Sequence, residues 1–254
     1  MNVSIGVAND GGLTNPASLI YSVLPPPITD GGIPSTWPDS SGHGHTGLKV
    51  GSPIYKQNIV GGKPVVRLRS ASHDGFDLAI PIPTTAPWTS FLVMKPASTS
   101  NGIISVAGDL MHGLGTLWSD AIMYSNCSFY QTNANMAAVN RNLFHVYSIT
   151  NVSAGICQYR VDGTLFANGG SGPTSDTYKH IGYLPLPLYC DGDLAEIIMY
   201  AGALQIGERA VGDRANIEAG LGVKYGIAQA GGGTPVDPST VANMLGWWKA
   251  DAIT

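Results

Sequence analysis

The run Leu194-Ala195-Glu196-Ile197-Ile198-Met199-Tyr200 carries one charge in an otherwise apolar stretch. Successive strand residues point to opposite faces, so a strand with one side in water alternates apolar and polar residues. This run does not alternate. It reads as a central strand covered on both faces, and the fold must provide a layer on each side of it.

Other segments supply the strands around it. Pro64-Val65-Val66-Arg67-Leu68, Phe91-Leu92-Val93-Met94 after Trp88, and Phe144-His145-Val146-Tyr147-Ser148-Ile149 are rich in β-branched and aromatic residues. Gln158-Tyr159-Arg160-Val161 and Thr164-Leu165-Phe166 flank Asp162-Gly163, a two-residue hairpin signal because both turn positions need φ > 0. With 33 glycines and 17 prolines the chain favours short strands and tight turns over a helical bundle. One helix is predicted from about Gln205 to Lys224, where Ile206, Ala210, Ile217 and Leu221 recur at near-helical spacing and Gly226 is placed to stop it. Gly207, Gly212, Gly220 and Gly222 each weaken that helix by up to ~1 kcal/mol relative to Ala, so packing on the sheet has to hold it.

Charged residues make up 12% of the chain, against roughly 25% in an average soluble domain. Such a surface relies on Ser, Thr, Asn and Gly, and part of it is expected to lie against other subunits. The 13 basic residues are scattered and form no stripe for nucleic acid. Arg67 and Arg69 read as a solvated strand face. No apolar stretch approaches the ~20 residues of a membrane span and no secretory leader is visible, so synthesis in a host cytoplasm is expected. Cys127, Cys157 and Cys190 lie far apart without a C-x-x-C pair, which argues against structural zinc; each reads as a small buried hydrophobe.

Trp37-Pro38-Asp39-Ser40-Ser41-Gly42-His43-Gly44-His45 resembles the W-x-D-x-S-G-x-G opening of concanavalin A-like, laminin-G-type jelly-roll domains. Gly62-Lys63-Pro64-Val65-Val66-Arg67-Leu68 resembles their next strand. Gly192-Asp193 and the apolar run after it, with Leu204, Glu208-Arg209 and Lys224-Tyr225-Gly226-Ile227, resembles their closing block. The resemblance spans roughly residues 28–227 and implies two packed antiparallel sheets with Greek-key connections.

In such domains a segment like Trp247-Trp248-Lys249-Ala250-Asp251-Ala252-Ile253-Thr254 comes first and runs into one like Ile28-Thr29-Asp30-Gly31-Gly32. Here it stands at the far end, behind a flexible Gly-rich linker, Ala230-Gly231-Gly232-Gly233-Thr234-Pro235. Three readings follow. Residues 18–24 fill the first-strand slot and the C-terminal segment begins a second, truncated repeat. Or that segment returns to its own domain as a circular permutation. Or it completes a neighbouring subunit by strand exchange.

Jelly rolls of this kind include glycoside hydrolases, and their retaining members need two carboxylates about 5–5.5 Å apart. The resemblance would imply a Glu-x-Asp-x-x-Glu pattern for a glucanase. Glu196, Glu208 and Glu218 are the only glutamates and none stands in that pattern. No Gly-x-Ser-x-Gly nucleophile elbow is present either, so no catalytic residue is expected. Asp39, His43 and His45 are weighed as a transition-metal set and read instead as loop-bonding groups. Asp74 with Asp77, and Asp191 with Asp193, make no dense acidic loop of the kind calcium requires. Neither a metal nor a cofactor is expected.

The expected fold is an all-β jelly-roll β-sandwich of two antiparallel sheets with one C-terminal helix and an extended N-terminal arm. The arm covers residues 1–27 and ends in Pro25-Pro26-Pro27; the sandwich covers 28–227, the linker 228–240, and the docking strand 241–254. By elimination, the expected function is that of a non-enzymatic virion structural protein, a capsid decoration or cement protein of a bacterial virus. It would be a homo-oligomer, a trimer, gripping neighbours and the phage major capsid protein through Leu19, Ile20, Tyr21, Trp247 and Trp248. The alternative is a carbohydrate-binding or adhesion module of a tail or surface, with Trp118, Tyr124, Asn126 and Tyr130 as the glycan platform. Neither reading involves nucleic acid or a membrane.

Overall fold

The computed structural model describes residues 28–85, 87–97, 116–118, 122–125, 129–130, 139–153, 156–168, 175–184, 188–201, 210–230, 233–240 and 244–253. The chain forms β1 (Thr36–Trp37), β2 (Gly47–Val50), β3 (Ile54–Val60), β4 (Lys63–Leu68), β5 (Gly75–Thr85) and β6 (Trp88–Pro96). Short strands follow at β7 (Thr116–Trp118), β8 (Ile122–Ser125) and β9 (Phe129–Tyr130), then β10 (His145–Ser153), β11 (Ile156–Val161), β12 (Thr164–Asn168) and β13 (Ser175–Ile181). After β14 (Tyr183–Leu184), β15 (Leu188–Tyr189) and β16 (Gly192–Ala201) come the helix α1 (Ala210–Tyr225) and a last strand, β17 (Met244–Lys249).

The apolar run lies in β16, the strand on which the architecture converges. Along one edge β6 pairs with it from Gly192↔Pro96 to Ala201↔Trp88. The other edge is divided: β4 takes Gly192 to Leu194, and β17 takes Glu196 to Tyr200. The resulting eight-stranded sheet runs β12-β11-β10-β6-β16-β4-β3, with β17 also on β16. A four-stranded sheet, β1-β2-β5-β13, covers one face. The architecture is therefore an all-β sandwich of two antiparallel sheets with one helix.

Both faces of β16 are covered, as its lack of alternation requires. Leu194, Ile197 and Met199 share a core with Val66, Leu92, Met94, Tyr147 and, from the smaller sheet, Phe76, Ile82 and Tyr178. Ala195, Ile198 and Tyr200 lie in a second core under α1, with Phe91, Val93, Val146, Ile217, Leu221 and Tyr225. A bulge interrupts the alternation: Leu194 pairs with Met94 but Glu196 already pairs with Val93. The extra residue puts Ala195 and Glu196 on the helix side together. The Asp162-Gly163 turn has φ of 49° and 80°, the left-handed pair that a tight hairpin between β11 and β12 demands.

The helix glycines have a tertiary reason. A Cβ on Gly220 would collide with the Val236 carbonyl, because residues 233–236 are laid along α1. Thr234 N donates to Asn216 Oδ1 (2.8 Å) and Val236 N to the Asn216 carbonyl (3.3 Å). Gly226, at φ 68°, ends the helix, and Ile227 N reaches back to the Gly222 carbonyl at 2.8 Å, a Schellman closure.

That path delivers β17 to the open edge of β16 within the same chain. Trp248 (1% exposed) enters the core between the sheets and Trp247 (8%) enters the core under α1. Adjacent tryptophans suit this place because a strand covered on both faces needs bulk on both. Ile253 lies in the same core that Ile28 packs against, so the two segments whose order is inverted in sequence meet in space. Trp248→Ala should cost about 3–5 kcal/mol in chemical denaturation, the usual range for deleting a buried tryptophan. Removing residues 241–254 should lower the melting temperature at least as much. Unchanged melting of the truncated chain would show that the strand does not belong to its own sandwich.

Candidate functional site

Two carboxylates hold the terminal strand. Asp39 caps the loop after β1: Oδ1 accepts from Ser41 N (2.9 Å) and Trp247 N (3.1 Å), and Oδ2 from Ser41 Oγ (2.8 Å) and His45 N (3.0 Å). Burial works to raise its pKa, but the hydrogen bonds from Ser41, Trp247 and His45 outweigh that and hold it below 3.8. His45 Nδ1 is bonded to the Ile80 carbonyl (2.8 Å) and the His45 carbonyl accepts from Trp248 Nε1 (2.9 Å). The residues weighed as a metal set are thus committed to strand docking, apart from the exposed His43. Among the described residues no group of three or more His, Cys, Asp or Glu is arranged to hold a metal ion.

Glu196 sits beneath α1, 1% exposed. Its Oε2 accepts from Lys224 Nζ (2.9 Å) and Tyr225 Oη (2.7 Å), and its Oε1 from Trp247 Nε1. The pKa of Tyr225 is driven up by burial and then by this carboxylate. Glu218 is buried as well, between Arg214 and Ser148. Both glutamates are consumed in tying layers together.

A different region is open. At the ends of β4, β6 and β16 lies a cleft of about 480 Å³ lined by Arg67, Arg69, Lys95, Asn142, Asp191 and Asp193, among others. Arg67 lies on a strand face that keeps solvent contact and also makes an ion pair: Nε and Nη2 clasp Asp193 at 2.7 and 3.0 Å. Arg69 pairs with the fully buried Asp74 at 2.9 Å and bonds the Ser52 carbonyl at 2.6 Å. Asp191 accepts from Ser70 N (2.7 Å) and Ser70 Oγ. Gly192 forms part of the floor, where a Cβ would meet the Lys95 carbonyl at 2.7 Å. Behind it Cys190 is buried, its thiol pKa raised by burial and then by Asp191 and Asp193.

A row of aromatic rings is reached from the cleft residues Arg69 and Asp191 within four residues of chain, though none of its rings lines the cleft. His73 stacks on Tyr189 (4.4 Å), Tyr189 on Tyr183 (5.4 Å), and Tyr183 leans on His180 (4.6 Å). Tyr183 Oη donates to Asp77, as does His180 Nδ1 at 2.8 Å. The Tyr183 ring lies against the backbone of Gly75, where a Cβ would stand 2.6 Å from it. His73 is exposed and the other three are half-buried. Sequence patterning missed this row because it joins positions 73, 180, 183 and 189, which share no motif.

Of the residues singled out from sequence, Trp247 and Trp248 are inside the chain's own sandwich. Leu19, Ile20, Tyr21 and Asn126 lie outside the described residues. For Trp118, Tyr124 and Tyr130 the backbone register is described: Tyr124 stands opposite Thr116 and Tyr130, and Trp118 opposite Ile122. By the two-residue period these positions share one face of the small sheet β7-β8-β9.

His145, the first residue of β10, has two acceptors: Asp162 at Nδ1 (2.6 Å) and the Asn140 carbonyl at Nε2 (2.8 Å). Burial pulls its pKa down, but Asp162 and the Asn140 carbonyl prevail and raise it above 6.5. Acceptors on both nitrogens favour the doubly protonated ring.

No family model matches the sequence, and no curated protein is similar to it. Solved structures are similar in fold. The enzymatically active domain of tailspike protein 2 from bacteriophage CBA120 aligns at 12% identity and TM-score 0.52, over 92% of this chain and 35% of that one. Domain 4 of AbnA, a GH43 extracellular arabinanase from Geobacillus stearothermophilus in complex with arabinotriose, aligns at 12% identity and TM-score 0.48, over 69% and 95%. The binding domain of botulinum neurotoxin serotype D aligns at 11% identity and TM-score 0.39, over 72% and 50%. The chain thus spans about a third of the tailspike domain. At such identities the shared property is a sandwich-like β fold, of the jelly-roll type.

Two outcomes follow for the buried charges. Glu196→Ala should cost about 3–5 kcal/mol, because Lys224 loses its buried partner, and denaturant titration reads this directly. The raised pKa of His145 contributes stability that is complete below pH 6.5 and lost as pH rises through the folded value. Wild-type melting temperature should therefore fall from pH 6 to pH 8.5 by more than that of His145→Gln; parallel profiles would contradict the cationic assignment.

Proposed function

We propose that this chain is a non-catalytic carbohydrate-binding or adhesion module of a virion-associated, tail-type structure, and that it takes glycan at the strand-end cleft. The observation that carries this reading is the cleft of about 480 Å³ lined by guanidinium, ammonium, amide and carboxylate groups, with an aromatic row whose His73 and Tyr189 lie within four residues in sequence of the lining positions Arg69 and Asp191. Small-ligand sites occupy about 300–1,000 Å³ and combine a few placed polar groups with apolar or aromatic walls. Sugars present hydroxyls at their edges and C–H faces above and below, which suits guanidinium, amide and carboxylate groups next to rings. The exposed ring of His73 offers a face, and the row offers its edges.

The non-catalytic part rests on where the acids are. Glu196 and Glu218 are covered and bonded, and Asp191 and Asp193 are each held by named donors. Hydrolysis would need a carboxylate pair facing substrate. The tail-associated part draws on the fold shared with a phage tailspike domain and stands as a proposal. The capsid-decoration reading rested on low charge and elimination, and neither selects a partner. Low charge does favour an oligomer, a trimer in this proposal, whose mass light scattering measures directly.

Glycan-array binding of the full chain tests the assignment. Binding should be present in the wild type and reduced at least tenfold by Tyr189→Ala, with cleavage of bound polysaccharide absent. If Trp118→Ala abolishes binding and Tyr189→Ala does not, the site lies on the β7-β9 sheet instead. No binding to any glycan, with co-sedimentation on capsid shells, would restore the decoration reading.

A further inference from the structure

We propose that the cleft selects carboxylate-bearing sugars, that is, polysaccharide containing uronic or other acidic residues. This rests on the glycan-binding reading and specifies its ligand. Three cations line the cleft, Arg67, Arg69 and Lys95, with side chains 39%, 39% and 34% exposed. The acids near them lie deeper: Asp193 is 3% exposed and Asp74 fully buried. Asp191, the third, is turned to Ser70.

Each acid is already bonded by named donors. Asp193 receives two Arg67 donors, with Lys95 Nζ at 3.6 Å. Asp74 receives Ser52 N (2.6 Å), Arg69 N (3.1 Å) and Arg69 Nε (2.9 Å). A guanidinium has five N–H donors in a planar fork. Arg67 spends two on Asp193 and Arg69 spends two on Asp74 and Ser52, so both keep donors for the open side. Among the described residues Lys95 is held by the long contact to Asp193 and by the Phe144 ring, its Nζ 5.5 Å from the centroid. A ligand entering the cleft therefore meets donors before acceptors.

The fork geometry selects the anion. Planar guanidinium matches a carboxylate with two parallel N–H···O bonds, and two such groups with an ammonium between strands favour carboxylate on a sugar ring. The paired acids balance the cations in net charge, so discrimination comes from short-range hydrogen bonding rather than a long-range field. Binding should accordingly be moderate and depend only weakly on salt.

Titration calorimetry on the full chain with oligogalacturonate, a neutral gluco-oligosaccharide of equal length and a sulfated oligosaccharide tests this. Oligogalacturonate should bind at least tenfold tighter than the neutral ligand and more tightly than the sulfated one. Lys95→Gln should reduce that preference at least threefold with an unchanged melting temperature, since Asp193 keeps Arg67. Arg67→Gln serves as the second variant, and its binding is read only after its melting curve confirms folding. Equal affinity for acidic and neutral ligands would overturn the acidic selectivity and leave the glycan reading standing. Preference for the sulfated ligand would overturn the carboxylate assignment. No affinity for any of the three, together with a silent glycan array, would remove the glycan reading itself.

Discussion

The carboxylate of Glu196 is the junction on which the helix, the central sheet and the terminal strand all depend. It is buried, and it is bonded at once by Lys224 and Tyr225 from α1 and its end, and by Trp247 from β17. A buried carboxylate is costly unless every lone pair finds a donor. Here the donors come from two places, the end of α1 and β17, and the carboxylate from β16, so the charge is tolerated only when all three elements are assembled. That makes it a specifier of this one arrangement more than a source of net stability. The bulge at Ala195 is the backbone device that aims it.

The terminal strand is secured on both sides by related means. Glu196 holds Trp247 from the helix side, and Asp39 holds the Trp247 backbone from the loop after β1. Trp248 is wedged between the sheets and bonded to the His45 carbonyl. Gly246 lets this happen: a Cβ there would stand 2.5 Å from the Trp248 ring. The loop at 37–45 and the terminal strand, which stand at opposite ends of the sandwich in sequence, are therefore in direct contact. Topology is indifferent to that order provided the connecting segment can reach, and Gly220 and Gly233 allow it to run flush against α1.

Stability and the proposed recognition use opposite ends of the same chemistry. Under α1 the charges are sealed and fully matched. At the ends of β4, β6 and β16 similar ion pairs sit in an open cleft with donors to spare. The strands there are rigid, since β16 pairs with β4 and β6 up to Gly192. A polar site built on rigid strand ends can bind with little ordering cost, which is what a weak, repeated attachment module requires.

Much of the fold was legible in local sequence. The unalternating run at 194–200 demanded cover on two faces, Asp162-Gly163 demanded a hairpin, and Gly226 demanded a helix end, because these depend on side-chain period and backbone φ alone. The aromatic pair Trp247-Trp248 announced a segment that has to dock, and its burial on both faces became visible only in the fold. Its address was undetermined, since three dockings satisfied the same apolar demand; the tertiary structure decided it by the pairing with β16 and the donors to Asp39 and Glu196. Arg67 and Arg69 read as solvated because alternation predicts a face and not a partner, and Asp193 and Asp74 became visible only once strands were placed. The aromatic row and the cleft were undetectable for the same reason: they join residues more than 100 positions apart, which only packing brings within a few ångströms.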